Sequence, residues 1–463
     1  MMIGSPAVAG TSPRQRRKAL AAAGFGTIIE FFDYAVYSYL ATVIAVVFFP
    51  PADTRVALIQ TFAVFALSFA MRPLAGLFWG HYGDRLGRRK TLLLTVSGMG
   101  TATLVIGLLP AYAAVGGWAP LFLVCVRMLQ SFCTAGVYSS AAVIAGEFAP
   151  PGRRARYVSV VPMGCAAGFM LASAMVGLLH GSLHPDQMVE WGWRVPFIAG
   201  GVLTFIGFIF QRAFEETPDF QLAQIEDSTA QSPVSRMLRQ NWGRVLALLF
   251  IVGVNHAGYY IIIGYMSTYL QMERGFSAAS AGYIATIGLV AYLPMLYMCA
   301  TLSDWFGRRK LLFASSFLFL LLSYPAFVAL GSGGFATALM VQLLLMAILA
   351  LNDATVSTYF VESFPTNVRL SGFAVPFNVS AVLFGGVAPL FAEWLIVATG
   401  NSFAPAFIMM GVAALSLPAL FASPETAPFR HANSATVPLA PNTDESLKVA
   451  VGSTPDPELA THG

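Results

Sequence analysis

Charge is what this sequence has least of. Only 10% of its 463 residues are Asp, Glu, Lys or Arg, against 57% hydrophobic, and mean hydropathy is +0.70. A soluble domain carries about 25% charge. This chain has too little to cover a water-facing surface, and the deficit is met if most of that surface faces lipid. Cysteine is scarce as well. Cys125, Cys133, Cys165 and Cys299 all lie in apolar stretches without metal-ligand spacing and read as small buried hydrophobes. No Gly-x-x-x-x-Gly-Lys-Ser/Thr loop supports an ATP-driven pump, and no metal constellation or nucleophile elbow supports an enzyme. The formal charge of +4 is dispersed in short basic clusters rather than one patch, so nucleic acid is not an expected partner. A secretory leader is not expected either. The apolar run after Arg14, Arg16, Arg17 and Lys18 reaches Phe49, far beyond the roughly 7–15 residue core of a signal peptide. It reads as an uncleaved first membrane helix.

What is present is a succession of apolar segments, each near the roughly 20 residues a helix needs to cross the hydrocarbon. The pattern predicts an all-α membrane protein with twelve spans, at 19–48, 57–80, 91–110, 119–146, 157–180, 195–212, 245–270, 278–301, 311–330, 335–362, 371–398 and 403–422. The organisation expected is a tail over 1–18, a six-helix bundle over 19–212, a central loop over 213–244, a second bundle over 245–422 and a mostly disordered tail over 423–463. Arg and Lys cluster at the N-terminus and in every second loop, at 14–18, 85–90, 153–156, 236–244 and 308–310, with Arg369 before the eleventh span. The positive-inside rule then predicts both termini, the central loop and the basic loops on the cytoplasmic side.

Two signatures recur in order. Asp84-Arg85-Leu-Gly87-Arg88-Arg89 after span two is echoed by Asp304-Trp-Phe-Gly307-Arg308-Arg309 after span eight. Glu147-Phe-Ala-Pro150 at the end of span four is echoed by Glu362-Ser-Phe-Pro365 at the end of span ten, each followed by an Arg, the second being Arg369. Six helices plus six, related as parallel repeats, is an arrangement for alternating access. The loop Gly permits a tight turn, and the Asp can accept hydrogen bonds at a helix start and pair with Arg. The loops therefore read as gate clamps, with plain topology signal as the other reading. Glu147 and Glu362 read as salt-bridge partners for those loops. Arg72, placed near the inner end of span two beside Pro73, reads as support for the gate.

Charges inside spans are costly and usually face a cavity or a partner. Glu30 and Asp33 in span one, three residues apart, share a helix face, and read either as proton carriers or as a structural pair. Asp353 and His256 are further proton-coupling candidates, and His256 has interhelix bonding as its other reading. Arg127 suits a carboxylate, of the substrate or of the protein. Asn255, Tyr259, Tyr260 and Asn378 are candidates to line a substrate pathway, the tyrosines by cation–π contact, although polar and aromatic groups at these spacings also serve packing.

The loop Gly80-x-x-x-Asp84-Arg-x-Gly87-Arg-Arg-Lys90 resembles the signature of the major facilitator superfamily. Ile29-Glu30-Phe-Phe-Asp33-Tyr34, Arg72-Pro73-Leu-Ala-Gly76, Arg127-Met-Leu-Gln130, Trp191-Gly-Trp-Arg194-Val-Pro196-Phe197, Glu216-Thr217-Pro218 and Phe364-Pro365-Thr366-Asn367-Val368-Arg369 are similar to its metabolite:proton symporter family, over roughly residues 20–425. The resemblance implies two six-helix bundles, a bacterial inner-membrane location, a small-molecule substrate, lipid as surroundings, a functional monomer, the proton as coupling ion and no cofactor or metal. Tyr34 and Gln130, inside these motifs, join the substrate-binding candidates. Related carriers move proline and betaine, citrate, dicarboxylates or shikimate. Where many members have Gly-Gly-Glu after the span-four Arg, this chain has Ala135-Gly136-Val137, with Val137 in place of the acid, so no role of that Glu carries over. The long coiled-coil tail of osmosensory members has no counterpart pattern. A zwitterion such as proline or glycine betaine is the first expectation, with its carboxylate on Arg127 and its cationic end near Asp33 or the tyrosines. A di- or tricarboxylic acid or shikimate is the alternative.

Overall fold

Residue type and backbone chemistry together decide where these helices start, bend and stop. The computed structural model describes residues 12–49, 54–150, 152–212, 216–217, 220–221 and 233–427. Most of the expected tail at 423–463, and parts of the expected N-terminal tail and central loop, lie outside the described residues. Helix α1, Pro13–Tyr39, opens on a capping box in which Ser12 Oγ accepts from the Gln15 amide at 3.2 Å and Gln15 answers at 2.8 Å, with Pro13 in the first turn. There follow α2 (Val56–Leu86), α3 (Arg88–Leu108), α4 (Trp118–Glu147), α5 (Arg154–Ser182) and α6 (Arg194–Ile209). The second set is α7 (Asn241–Arg274), α8 (Ala278–Phe306), α9 (Arg308–Gly331), α10 (Phe335–Ser363), α11 (Thr366–Thr399) and α12 (Ala404–Ala422). Eleven of these are long and apolar enough to cross a membrane among the described residues. Arg194–Ile209 becomes the twelfth when joined to Pro185–Gly192 across a 42° bend.

The outer walls carry bare apolar side chains, among them Leu178, Val202, Phe205 and Leu321, as lipid-facing surfaces require. Inside the first bundle α1 packs on α5 and α6 on α3; inside the second α8 and α9 pack on α10, and α12 on α7 and α9. The two sets meet along α2 with α11 and α5 with α8. Small residues allow the approach. A Cβ on Gly76 would stand 3.0 Å from the Ala374 carbonyl, and one on Gly80 3.0 Å from Ser371 Cα.

Several expected edges shift. Span one ends at Tyr39, with a separate helix at Ala41–Phe48. Span two continues past residue 80 to Leu86, because its glycine face stays packed on α11. Arg72 therefore sits mid-span, not at the inner end. A helix already runs from Pro233, with a non-helical kink at Asn241, inside the stretch expected as central loop.

Four helices break in mid-span. α2 is interrupted at Ala70–Met71, just before Pro73, which has no amide to carry the ladder across. α4 is interrupted at Ala135–Gly136. α7 and α11 widen into π-helical turns at Tyr259–Tyr265 and Ala381–Gly386. Irregular backbone at this depth is tolerated where it is buried in protein or lines a cavity, and such π turns gather at functional sites.

Candidate functional site

A small chamber lies between the two bundles, lined by Glu30, Phe31, Arg72, Tyr138, Cys165, Asn255, His256, Tyr259, Tyr260, Asp353 and Phe377. All of these side chains are buried. The π turn of α7 brings the adjacent Tyr259 and Tyr260 both to its wall. Phe31 and Tyr259 meet edge to face at 5.4 Å, and Tyr138 stacks on Phe377 at 4.5 Å.

Glu30 and Arg72 form the ion pair of the chamber, Oε1 to Nη2 at 3.6 Å. Arg72 also donates to the Tyr34 hydroxyl, which in turn donates to Thr134 Oγ1 at 2.7 Å. Its guanidinium lies 4.4 Å from the centre of the Phe69 ring. Glu30 Oε2 and Arg72 Nε have no hydrogen-bond partner among the described residues. Across the chamber Asp353 is held by neutral donors, Asn255 Nδ2 at 2.9 Å and Tyr292 Oη at 2.8 Å. His256 Nδ1 lies 3.2 Å from Ser380 Oγ, and His256 Nε2 and the Tyr259 hydroxyl have no hydrogen-bond partner among the described residues. Tyr138 bridges the bundles through Ser357 at 2.8 Å.

The structure separates groups that the spacing put together. Asp33 does not line the chamber. Its Oδ2 accepts from Thr103 and, at 3.3 Å, from Gln130, while Gly200 of α6 packs closely against Oδ1. Gln130 also accepts from Arg127 at 2.6 Å. Arg127 lies over the Tyr37 ring at 4.2 Å, with Nε and Nη2 unpartnered among the described residues. It too is outside the chamber lining, so Arg72 takes the place expected of Arg127 there. Asn378 is likewise not part of the lining. Its amide donates to the Ala135 carbonyl at 2.9 Å, freed by the break in α4, and so ties α11 to α4. Asn352, beside Asp353, is fully buried with its amide unpartnered among the described residues. Sequence reasoning missed Tyr138, Cys165 and Tyr292. It missed also Glu393 of α11, fully buried, whose Oε2 accepts from Tyr265 Oη at 2.5 Å.

At the end bearing the basic loops, the repeated motifs cross between bundles. Asp84 accepts from the backbone amides of Leu370 and Ser371 at 3.2 and 2.8 Å, capping the start of α11. Asp304 does the same for α5, accepting from Ala155 and Arg156 at 3.0 and 3.2 Å. Arg88 pairs with Asp84 at 3.4 Å and Glu147 at 3.5 Å, and Arg369 reaches Glu147 at 2.8 Å. Arg308 pairs with Asp304 at 3.0 Å and Glu362 at 3.3 Å, and Arg154 reaches Glu362 at 3.7 Å. Gly87 and Gly307 adopt φ of 106° and 100° at the turns between helices, a region that glycine enters without strain. Arg89 and Arg309 bond the ends of α6 and α12 in their own bundles, to the carbonyls of Arg212 at 2.8 Å and Leu420 at 2.8 Å. Arg85 is exposed. A third repeat appears only in space. Glu216 accepts from the amides of Arg88 and Arg89, both at 3.1 Å, and Glu425 from those of Arg308 and Arg309 at 2.8 and 3.0 Å. Burial pushes the Glu216 carboxyl up from the usual carboxylate range, against the pull of those amides and of Arg88.

Among the described residues no three His, Cys, Asp or Glu side chains are grouped to hold a metal ion. A family model described as Major Facilitator Superfamily matches residues 23–375 and 248–452. The proline/betaine transporter of Escherichia coli strain K12 is 33% identical over 410 residues, covering 87% of this chain and 82% of that protein. The inner membrane metabolite transport protein YhjE of the same strain is 33% identical over 422 residues, covering 90% and 96%. The solved structure of the proton:xylose symporter XylE bound to 6-bromo-6-deoxy-D-glucose superposes with a TM-score of 0.73 at 17% identity, over 90% of this chain and 98% of that one. That last likeness concerns the fold.

Proposed function

The chain belongs to the Major Facilitator Superfamily, as a multi-pass secondary active transport protein rather than an enzyme, and we propose that it carries a small zwitterionic solute into the cell together with protons. The location proposed is a bacterial inner membrane, with the basic loops and both termini in the cytoplasm, on the strength of the alternating Arg clusters. The observation that carries the substrate class is the charge set of the chamber. Arg72 is the guanidinium in its lining, set against Glu30 and Asp353, and the rest of the wall is largely aromatic. A solute with one carboxylate and one cationic nitrogen finds a partner for each end there, and the proton carried with it offsets the remaining negative charge. Its nitrogen gains from the faces of Tyr259, Tyr260 and Tyr138. Citrate or a dicarboxylate brings two or three negative charges to a chamber that already holds two carboxylates. The 33% identical proline/betaine transporter supports the same class.

The clamps at the basic end are the proposed inner gate. With Asp84 capping α11 and Asp304 capping α5, that end is held shut, and release of both caps lets the bundles part. A thermal-shift panel with purified protein tests the substrate class, using proline, glycine betaine, citrate, oxoglutarate and shikimate. A ligand at about 100 times its Kd adds about 2.7 kcal/mol to stability, a rise easily read. Stabilisation by proline or betaine is expected. Stabilisation by citrate or oxoglutarate alone refutes the zwitterion and favours the multiply charged acids.

A further inference from the structure

We propose that Asp353 of α10 is the residue that selects the solute's charged nitrogen, and so sorts zwitterions from plain carboxylates of the same shape. The proposal rests on the reading of the chamber as a zwitterion site and names which of its two acids meets the cation.

The internal repeat shows how the two acids differ. The repeated loops stand 220 positions apart, from Asp84 to Asp304, and the repeated helix ends 215 apart, from Glu147 to Glu362. The same offsets carry Arg72 of α2 to Tyr292 of α8, and Tyr138 of α4 to Asp353 of α10. Each bundle thus brings one acid to the chamber, in a different setting. In the first bundle Glu30 has the Arg72 guanidinium at 3.6 Å. In the second, the position that answers to Arg72 is a tyrosine. Its hydroxyl donates to Asp353 Oδ2 at 2.8 Å, while Asn255 donates to Oδ1 at 2.9 Å. Asp353 is buried and has no ion pair among the described residues.

Two neutral donors satisfy hydrogen bonds but not charge. A strut between α7, α8 and α10 needs no charge, since a neutral amide would accept a bond there without the desolvation cost of a buried carboxylate. That cost is offset when a cation enters the chamber beside Asp353. Tyr138 and Tyr259, which line the chamber, lie within electrostatic reach of the same carboxylate, and their ring faces add cation–π attraction for a nitrogen placed there. Glu30 is the weaker candidate, because its charge already faces Arg72. A solute with its nitrogen at Asp353 and its carboxylate at Arg72 spans from α10 to α2, so both bundles hold it at once. A carboxylate of the same shape without the charged nitrogen meets only the first bundle and leaves Asp353 bare.

The test sets each solute beside its carbon isostere: glycine betaine beside tert-butylacetate, and proline beside cyclopentanecarboxylate. Each pair shares the carboxylate and the shape and differs in the cationic nitrogen. Binding to the purified full chain at neutral pH is read by calorimetry. Wild type should bind the zwitterion of at least one pair more tightly than its isostere by about 30-fold or more, the lower end of the effect of removing one partner of a buried charge pair. Asp353→Asn keeps the side chain's size and an acceptor, and should bring the two members of that pair to within a few-fold of each other. A wild-type preference that survives in Asp353→Asn overturns the assignment, including where this variant loses only accumulation driven by a proton gradient, which would make Asp353 a proton carrier instead. If the variant does not fold, wild type decides, and isosteres bound as tightly as their zwitterions overturn the assignment. Wild type that binds no member of either pair removes instead the zwitterion reading on which the assignment stands.

Discussion

Glu30 and Asp33 show what residue spacing conveys and where it stops. Three residues turn a helix by about 300°, so two side chains on one face still diverge by about 60°. Here that is enough to send Glu30 to Arg72 in the chamber and Asp33 to Thr103 and Gln130 inside the first bundle. The sequence marked both acids, Asp353 and His256 because buried charge in an apolar run is conspicuous. It left Tyr138, Cys165 and Tyr292 unmarked because uncharged residues in such runs resemble packing. Arg72 was misplaced in depth for a different reason: the polar His81–Arg85 stretch reads as the end of a span, yet it stays helical against α11. A prediction follows for the Asp33 cluster. Asp33→Ala leaves Arg127 buried with Gln130 as its hydrogen-bond partner. Thr103 and Gln130 lose their shared buried acceptor, at a cost of about 1–3 kcal/mol, read as a lowered thermal midpoint in detergent. Asp33→Asn, which keeps an acceptor for Thr103, should fall less. Equal midpoints for wild type and Asp33→Ala would contradict this reading.

At the scale of elements, the repeated loops were legible as repeats, but not in their partners. Asp84 and Asp304 cap helices 286 and 149 positions away, and no local pattern announces such a partner. The Glu-Thr pairs at Glu216-Thr217 and Glu425-Thr426 were equally visible in the chain, yet their equivalence emerges only from the amides they share. A charge-assisted bond is worth about 1.5–3 kcal/mol, so Asp84→Asn or Asp304→Asn should shift the balance of open to closed inner gate by about tenfold or more. Distances between spin labels on the basic loops of the two bundles would report it. An unchanged distribution in both variants removes the gate role. The turn glycines make a second test. Gly87→Ala or Gly307→Ala places a Cβ at strongly positive φ, at roughly 1–2 kcal/mol, and the expected result is a lower melting midpoint. Gly87→Ala also crowds Glu216. An unaltered midpoint in both variants contradicts the strained-turn account.

Across the whole molecule, twelve apolar segments were readable from hydropathy because a bilayer imposes length and polarity together. The mid-span breaks were not, since a π turn or an interrupted helix depends on what packs beside it. The chamber is lined by residues close to the breaks in α2, α4 and α7, Arg72, Tyr138, Tyr259 and Tyr260 among them. Orientation belongs to this scale. A cysteine at Ser12 should react with impermeant reagents only from the cytoplasmic side, and one at Gly181 only from outside; labelling of Ser12 from outside would invert the topology. The central claim, a zwitterion carried with protons, is met most directly by uptake into proteoliposomes of purified wild-type protein. With an inwardly directed proton gradient, labelled proline or glycine betaine should accumulate above its outside concentration, and a protonophore should collapse the gain. Uptake of either solute that ignores the gradient, or accumulation of citrate or oxoglutarate in its place, would contradict it.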